Sequence, residues 1–238
     1  MLRGLLTCLV CLLLLGACAP ALAEVSVRTD RNGDYLATQV FYAGAYGAET
    51  KIWSPRGRGV LRKVEVLNAL GDSNGDLWPS ICESSLRPHH PLVVWSRFNG
   101  VEYDLAWSIW TGERWRDVEW LFGRTDPGDD LDPALVFDSA GRPYAVWWRD
   151  VGGDGQVFAS TLLVDRWTKP FLISDPSLDS RYPSIEVDEA DQLTVTHETK
   201  DGTVVQTLSF EFPDTITDDI NPQISVDVMV NSVHERTY

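Results

Sequence analysis

The sequence predicts an all-β protein, specifically a small β-propeller or a propeller-like fan of about four four-stranded blades. Two landmarks recur along the chain, a proline motif and an apolar β-forming run, and pairs of Arg and Trp follow two of the runs at a constant distance. Short alternating segments separated by turn residues fill the rest, and no segment shows a capped helical stripe.

The proline motif occurs four times. Its copies are separated by 54, 50 and 39 residues and read Asp76-Leu-Trp-Pro79, Asp130-Leu-Asp-Pro133, Ser180-Arg-Tyr-Pro183 and Asp219-Ile-Asn-Pro222. A period of about 50 residues with several short strands is the size of one propeller blade.

The other landmarks keep the same register. Apolar, β-forming runs end at Trp95, Trp147 and Thr196, and the segment Tyr35–Phe41 fits the same place in an N-terminal unit. Trp115 and Trp167, each preceded by Arg, stand 20 residues after Trp95 and Trp147. These recurring aromatic residues are therefore expected in the core.

The third unit predicts four strands most clearly, at Leu135–Asp138, Tyr144–Trp148, Gln156–Leu162 and Trp167–Ile173. One such meander cannot bury both of its faces, so neighbouring sheets must stack against it. The tail Ile224–Val230 is expected to be the first strand of a partial fifth unit. It either closes a ring with the N-terminal unit or caps an open fan.

Residues 1–23 are predicted to be an export signal, followed by the β domain at 24–238. Arg3 precedes the apolar run Leu5–Leu15, which is short for a membrane span. Cleavage is expected either before Cys18, as in a bacterial lipoprotein with that cysteine acylated, or after Ala23. The protein is therefore expected in the periplasm, outer membrane or cell surface, or secreted, with a lipid on Cys18 as its membrane contact.

The net charge of −15 excludes nucleic acid as an expected partner, because phosphate binding needs clustered Lys and Arg. It is compatible with cations, basic protein surfaces and neutral sugars. Acidic segments precede each proline motif, and clustered carboxylates of this kind can bind Ca²⁺, although turn formation also explains them. No cofactor is otherwise expected.

The order Pro-Ser-Ile-x-x-Asp, then Gly, Val-Trp and a turn before Trp resembles the repeats of the sialidase-like (neuraminidase, BNR-type) propeller superfamily. The resemblance extends over residues 25–230. The Asp-box of that superfamily, Ser-x-Asp-x-Gly-x-Thr-Trp, has no intact copy here. Sialidase-like enzymes bind the substrate carboxylate with an arginine cluster, and the repeat-related Arg97 and Arg149 resemble part of one.

The candidate ligand-binding residues lie where the acidic segments meet the first strands and where the second strands end. They are Arg97, Arg149, Asp76, Asp130, Asp179 and Asp219. Because no catalytic signature accompanies the repeat, we expect a non-catalytic binding or scaffold protein of the bacterial cell envelope with a protein or glycan ligand. The alternative is a sialidase-like glycoside hydrolase or lyase.

Overall fold

The computed structural model describes residues 22–29, 35–42, 65–66, 75–87, 90–122, 127–211 and 223–229. These residues form four antiparallel sheets and no helix, and none of the sheets closes on itself. The all-β prediction is therefore confirmed. Among the described residues, no helix is long and apolar enough to cross a membrane.

Sheets I and II come from the first half of the chain. Sheet I contains β1 (Leu22–Thr29), β2 (Tyr35–Tyr42) and β3 (Glu65–Val66) in the order β2-β1-β3. Sheet II contains β4 (Asp76–Cys82), β5 (Leu92–Phe98), β6 (Tyr103–Ile109) and β7 (Glu119–Trp120), paired in chain order. Sheet II is thus a simple meander.

Sheets III and IV repeat this meander. Sheet III contains β8 (Asp130–Phe137), β9 (Pro143–Val151) and β10 (Asp154–Leu163), and two short strands, β11 (Arg166–Trp167) and β12 (Phe171–Leu172), both pair with β10. Sheet IV contains β13 (Ser180–Val187), β14 (Leu193–Thr199), β15 (Gly202–Glu211) and β16 (Gln223–Met229). Three consecutive units therefore share one strand order.

The strand registers give the true equivalences between units. Trp95 and Trp147 occupy the same place, two residues after Val93 and Ala145, which pair with Ile81 and Leu135. In sheet IV that place belongs to His197 rather than Thr196, since Val195 pairs with Ile185. The predicted slot was wrong by one residue, and such a slip moves a side chain to the opposite face.

Sheet III is buried on both faces. Ala145 and Trp147 of β9 pack against Leu92 and Leu105 of sheet II. The alternate side chains Tyr144, Val146 and Trp148 pack against sheet IV, through Ile185, Val195 and Leu208. The period of two along β9 therefore joins sheets II, III and IV into one stack.

The two outer faces of this stack differ. The face of sheet II turned away from sheet III carries the fully buried Val93, Trp95 and Ala106, and β1 and β2 lie beside β4. The face of sheet IV turned away from sheet III is polar, with eight exposed side chains on it among the described residues. They are Ser184, Glu186, Glu198, Thr203, Ser209, Glu211, Ser225 and Asp227. This face therefore meets solvent.

Two further strand assignments need correction. The tail does not begin a fifth unit: β16 pairs with β15 along its whole length and is the fourth strand of sheet IV. Its alternation places Val226 beside Leu208 in the core between sheets III and IV, and this burial explains the pairing. Segment Tyr35–Phe41 forms β2, an edge strand among the described strands, whereas the segments with Trp95 and Trp147 are central.

Candidate functional site

The candidate site is the end of sheets II, III and IV at which the first strands begin and the second strands end, here called the loop end. Register places Asp76 opposite Arg97, Asp130 opposite Arg149, and Ser180 opposite Thr199. The first four of these were predicted from the sequence as binding residues. The fold brings them together in pairs within each sheet.

In sheet III the pair is a fully bonded internal cluster. Arg149 donates to Asp130 twice, from Nε to Oδ1 at 2.7 Å and from Nη2 to Oδ2 at 2.9 Å. The indole Nε1 of Trp147 donates to the same Oδ1 at 2.8 Å, and the Arg149 guanidinium lies 4.9 Å from the ring centre of Phe158. Burial raises the pKa of Asp130, although the bonds from Arg149 and Trp147 oppose the rise. This carboxylate is therefore buried and bonded to side chains of the protein itself.

Sheet II has the same three residue types at the equivalent positions, Asp76, Trp95 and Arg97. Trp95 Nε1 donates to Asp76 Oδ1 at 2.6 Å, and Arg97 Nε lies 4.0 Å from that oxygen. The guanidinium of Arg97 also lies 5.8 Å from the ring centre of Trp120. Asp76 is wholly buried, so it orders the start of β4 rather than offering a free charge.

Sheet IV has a different residue at each of the three positions of the cluster. Ser180, His197 and Thr199 stand where sheet III has Asp130, Trp147 and Arg149. The Oγ of Ser180 and both ring nitrogens of His197 are buried without a hydrogen-bond partner among the described residues. Burial lowers the pKa of His197, opposed by the nearby Gln206 side chain and Glu198 backbone, so the imidazole is neutral near pH 7.

The sheets are tied to one another at the loop end by a second set of aspartates. Asp129 Oδ1 accepts from the backbone N–H of Tyr103 at 2.8 Å, and Asp179 Oδ1 accepts from that of Gly155 at 2.7 Å. Asp179 also binds Arg181 at 2.7 Å, which lowers the pKa of Asp179. The predicted site residue Asp179 therefore links sheet III to sheet IV.

Each first strand contains a β-bulge at its proline motif. The register shifts between Leu77 and Ser80, between Leu131 and Ala134, and between Arg181 and Ser184. The residue before each proline has a left-handed backbone, with φ of 47° at Trp78, 54° at Asp132 and 54° at Tyr182. We call these three the bulge residues. A left-handed backbone costs a non-glycine residue about 1–2 kcal/mol.

Two of the bulge residues expose large aromatic side chains. Trp78 is 44% exposed and Tyr182 is 58% exposed. The Tyr182 ring meets Trp148 of sheet III edge-on at 6.2 Å, and the Arg181 guanidinium lies 4.9 Å from the ring centre of Trp148. Asp132 is half-buried, and burial raises its pKa. The loop end therefore combines exposed aromatic rings with carboxylates.

Several sequence predictions lie elsewhere or were incomplete. Asp219, Cys18 and the export signal up to residue 21 lie outside the described residues. Among the residues that the structure does describe, no group of three His, Cys, Asp or Glu side chains is arranged to hold a metal ion. The bulge residues were not among the predicted site residues, although each directly precedes a repeated proline, and that position was the signal.

No protein-family model matches the chain, and no curated protein matches it either.

Proposed function

We propose that this chain is an exported, non-catalytic binding protein of the bacterial cell envelope, whose loop end binds a basic segment of another protein. The observation that carries the proposal is the left-handed bulge at the same place in three sheets, with Trp78, Asp132 and Tyr182 in it. Backbone strain persists when the structure over-determines it, and it concentrates at functional sites.

The scaffold for this surface is a propeller-like fan of four-stranded sheets. Stacking of sheets II, III and IV through β5, β9 and β14, with contacts between the adjacent first strands, supports that arrangement. The polar outer face of sheet IV favours an open fan over a closed ring, because a closed ring would cover that face with another sheet.

The chemistry of the surface selects the kind of ligand. Exposed Trp and Tyr side chains are the residues that most often dominate protein interfaces, and their rings also attract Lys and Arg cations. The net charge of −15 adds a long-range attraction for basic partners. A basic protein segment satisfies both features.

The alternative, a sialidase-like hydrolase or lyase, has less support. It would need guanidinium groups available to a substrate carboxylate. Arg149 is 6% exposed and is held by Asp130 in two hydrogen bonds, and only 11% of the Arg97 side chain is exposed. A glycan panel assayed for turnover tests this alternative, and hydrolysis lost in Arg149→Ala would favour it.

The binding proposal is tested with short Lys- and Arg-containing peptides titrated into the purified protein by calorimetry. Trp78→Ala and Tyr182→Ala should each weaken binding by about tenfold, because truncating an interface aromatic commonly costs more than 1 kcal/mol. Both substitutions leave the net charge unchanged, so unspecific attraction persists in the variants. Affinities equal to that of the native protein would contradict the proposal.

The matched control is Leu86→Ala. Leu86 is 62% exposed and lies in the turn after β4, at the opposite end of sheet II. This variant should bind the peptides as the native protein does. Export is tested separately: Cys18→Ala should abolish labelling with a radioactive fatty acid if the chain is a lipoprotein, and leave secretion intact if cleavage follows Ala23.

A further inference from the structure

Asp132 lies at the centre of the loop end. Sheets II, III and IV stack in chain order, and β8 contacts both β4 and β13. The equivalent bulge residues Trp78, Asp132 and Tyr182 are therefore on three neighbouring first strands, with Asp132 on the central one. A carboxylate thus stands between two first strands that each carry an exposed aromatic residue.

The carboxylate of Asp132 has no partner within the part of the chain that the structure describes. It makes no hydrogen bond and no ion pair there, in contrast to Asp130 and Asp179. The side chain is half-buried, and neither of its oxygens is completely enclosed by the protein. A carboxylate that loses hydration without gaining a partner costs free energy, and a cation from outside would offset that cost.

The ring of Tyr182 lies beside this carboxylate. It meets the ring of Trp148 with 6.2 Å between the ring centres. Trp148 in turn pairs in register with Leu131, the residue directly before Asp132. More than half of Tyr182 is exposed, so its ring is available to a ligand that reaches Asp132.

The neighbouring Arg181 does not neutralise Asp132. Its Nε donates to Asp179 Oδ1 and its Nη2 donates to the backbone oxygen of Gly153, both at 2.7 Å, while the guanidinium lies over the ring of Trp148. The chain itself therefore shows how a guanidinium is held at this end, with its plane on an aromatic ring and its N–H groups on oxygen atoms.

The groups around Asp132 suit a guanidinium better than an ammonium ion. A guanidinium is planar, donates to both oxygens of one carboxylate at once and stacks on aromatic rings. An ammonium ion is more strongly hydrated and meets a carboxylate as a point charge. One carboxylate with two unpaired oxygens, next to exposed aromatic residues, matches the guanidinium.

We propose that Asp132 anchors an arginine side chain of the partner, with both carboxylate oxygens accepting from the guanidinium and with Trp78 and Tyr182 at its sides. This inference rests on the proposed function, because it names the residue type that the loop end selects in a basic segment. A lysine in the same place shares the long-range attraction to a protein of net charge −15 but lacks the paired hydrogen bonds.

Calorimetric titration of the purified full-length protein tests this selection. The probes are short matched peptides of Gly and Ser that contain three arginines, three lysines or three citrullines, since citrulline keeps the shape of arginine without its charge. We expect the arginine peptide to bind with a Kd below about 1 mM and at least about fivefold more tightly than the lysine peptide. The citrulline peptide should bind at least about tenfold more weakly than the arginine peptide.

Asp132→Asn is the decisive variant. Asparagine tolerates a left-handed backbone as aspartate does, so the bulge should persist, and thermal unfolding verifies this. The variant should bind the arginine peptide at least about tenfold more weakly and the lysine peptide within about twofold of the native protein, so that the preference for arginine disappears.

The matched control is Asp165→Asn. It removes the same charge at an exposed aspartate in the turn between β10 and β11, at the opposite end of sheet III. This variant should bind the arginine peptide as the native protein does, because it changes only the long-range attraction.

Proton release gives a second readout. Burial raises the pKa of Asp132, and a bound guanidinium lowers it again. Binding of the arginine peptide at about pH 5 should therefore release protons, and the release should be absent in Asp132→Asn. Calorimetry in two buffers of different ionisation enthalpy measures it.

Equal affinity for the arginine and lysine peptides would overturn the inference, and so would an Asp132→Asn variant that binds the arginine peptide as the native protein does. The proposed function survives either result if Trp78→Ala and Tyr182→Ala still weaken peptide binding. If no peptide binds, or if those two variants bind as the native protein does, the proposed function fails and the arginine anchor fails with it.

Discussion

Sheets III and IV have the same strand order and the same bulge in the first strand, yet different side chains occupy the buried positions of the loop end. Sheet III fills it with a carboxylate, an indole and a guanidinium that satisfy one another, at Asp130, Trp147 and Arg149. Sheet IV has Ser180, His197 and Thr199 there, and the Oγ of Ser180 and both ring nitrogens of His197 have no hydrogen-bond partner among the described residues. A sheet that kept only one of the two charged residues would hold a buried charge without its partner.

The faces of the two sheets differ in the same direction. Sheet III is covered on both sides, whereas sheet IV is covered on one side and exposes Ser, Thr, Glu and Asp on the other. A sheet with one solvent-exposed face has less apolar area to bury. Such a sheet also tolerates buried polar groups that are less fully hydrogen-bonded. The comparison indicates that sheet III is the stability centre of the stack.

The largest expected effect is at Asp130. Asp130→Ala leaves the buried guanidinium of Arg149 and the indole N–H of Trp147 without their acceptor, so we expect a loss of about 3–5 kcal/mol in the free energy of unfolding. Ser180→Ala, at the same place in sheet IV, should change it by less than about 0.5 kcal/mol because its Oγ has no described partner. Urea unfolding measures both, and similar losses would refute the contrast.

The joint between the two sheets is the next most sensitive place. A Cβ at Gly155 would lie 2.6 Å from the backbone oxygen of Ser180 and 2.5 Å from Arg181 Cγ. Gly155→Ala should therefore cost about 2–3 kcal/mol through overpacking. Gly75→Ala is the control, since its Cβ meets only the Tyr103 hydroxyl, at 3.1 Å. Thermal unfolding compares the two, and the joint is looser than described if Gly155→Ala costs no more than Gly75→Ala.

A smaller effect concerns pH. Because burial lowers the pKa of His197 below its unfolded value of about 6.5, the unfolded chain binds more protons below that pH. His197 therefore gives its full contribution to stability above pH 6.5. That contribution is lost as the pH falls toward the folded-state pKa, at up to about 1.4 kcal/mol per pH unit. Urea unfolding between pH 7.5 and 5 should show this slope.

His197→Phe should remove that component of the slope and leave the rest, and it should raise stability at pH 5.5 relative to the native protein. The difference between the two pH profiles isolates the contribution of His197. A profile unchanged by His197→Phe would mean that the imidazole is hydrated or paired in solution.

The smallest expected effect tests the free face of sheet IV. Glu186→Thr should change the free energy of unfolding by less than about 0.5 kcal/mol, as exposed surface substitutions do. Ala145→Thr, on the central strand of sheet III, is wholly buried and should be destabilising by about 1–3 kcal/mol. A large loss of unfolding free energy in Glu186→Thr would show that another surface covers this face, and it would favour a closed ring of sheets over an open fan.

The sequence was informative where a pattern is local. The strand positions in the third unit and the recurring place of Trp115 and Trp167 both rest on spacing and alternation. The sequence aligned Thr196 with Trp95 and Trp147, whereas His197 occupies their position in sheet IV. Sheet IV has no tryptophan at that position, so the sequence pattern could not reveal an error of one residue.

What the sequence by itself determined is the repeat: a period near 50 residues, short alternating strands and a recurring proline motif, because backbone restriction and side-chain alternation act locally. Only the tertiary structure decided that the tail completes sheet IV and that the aromatic bulge residues are exposed. It also decided that Asp76 and Asp130 form buried ion pairs with Arg97 and Arg149. Those outcomes depend on which face meets a neighbouring sheet, and that is set by contacts between residues far apart in the chain.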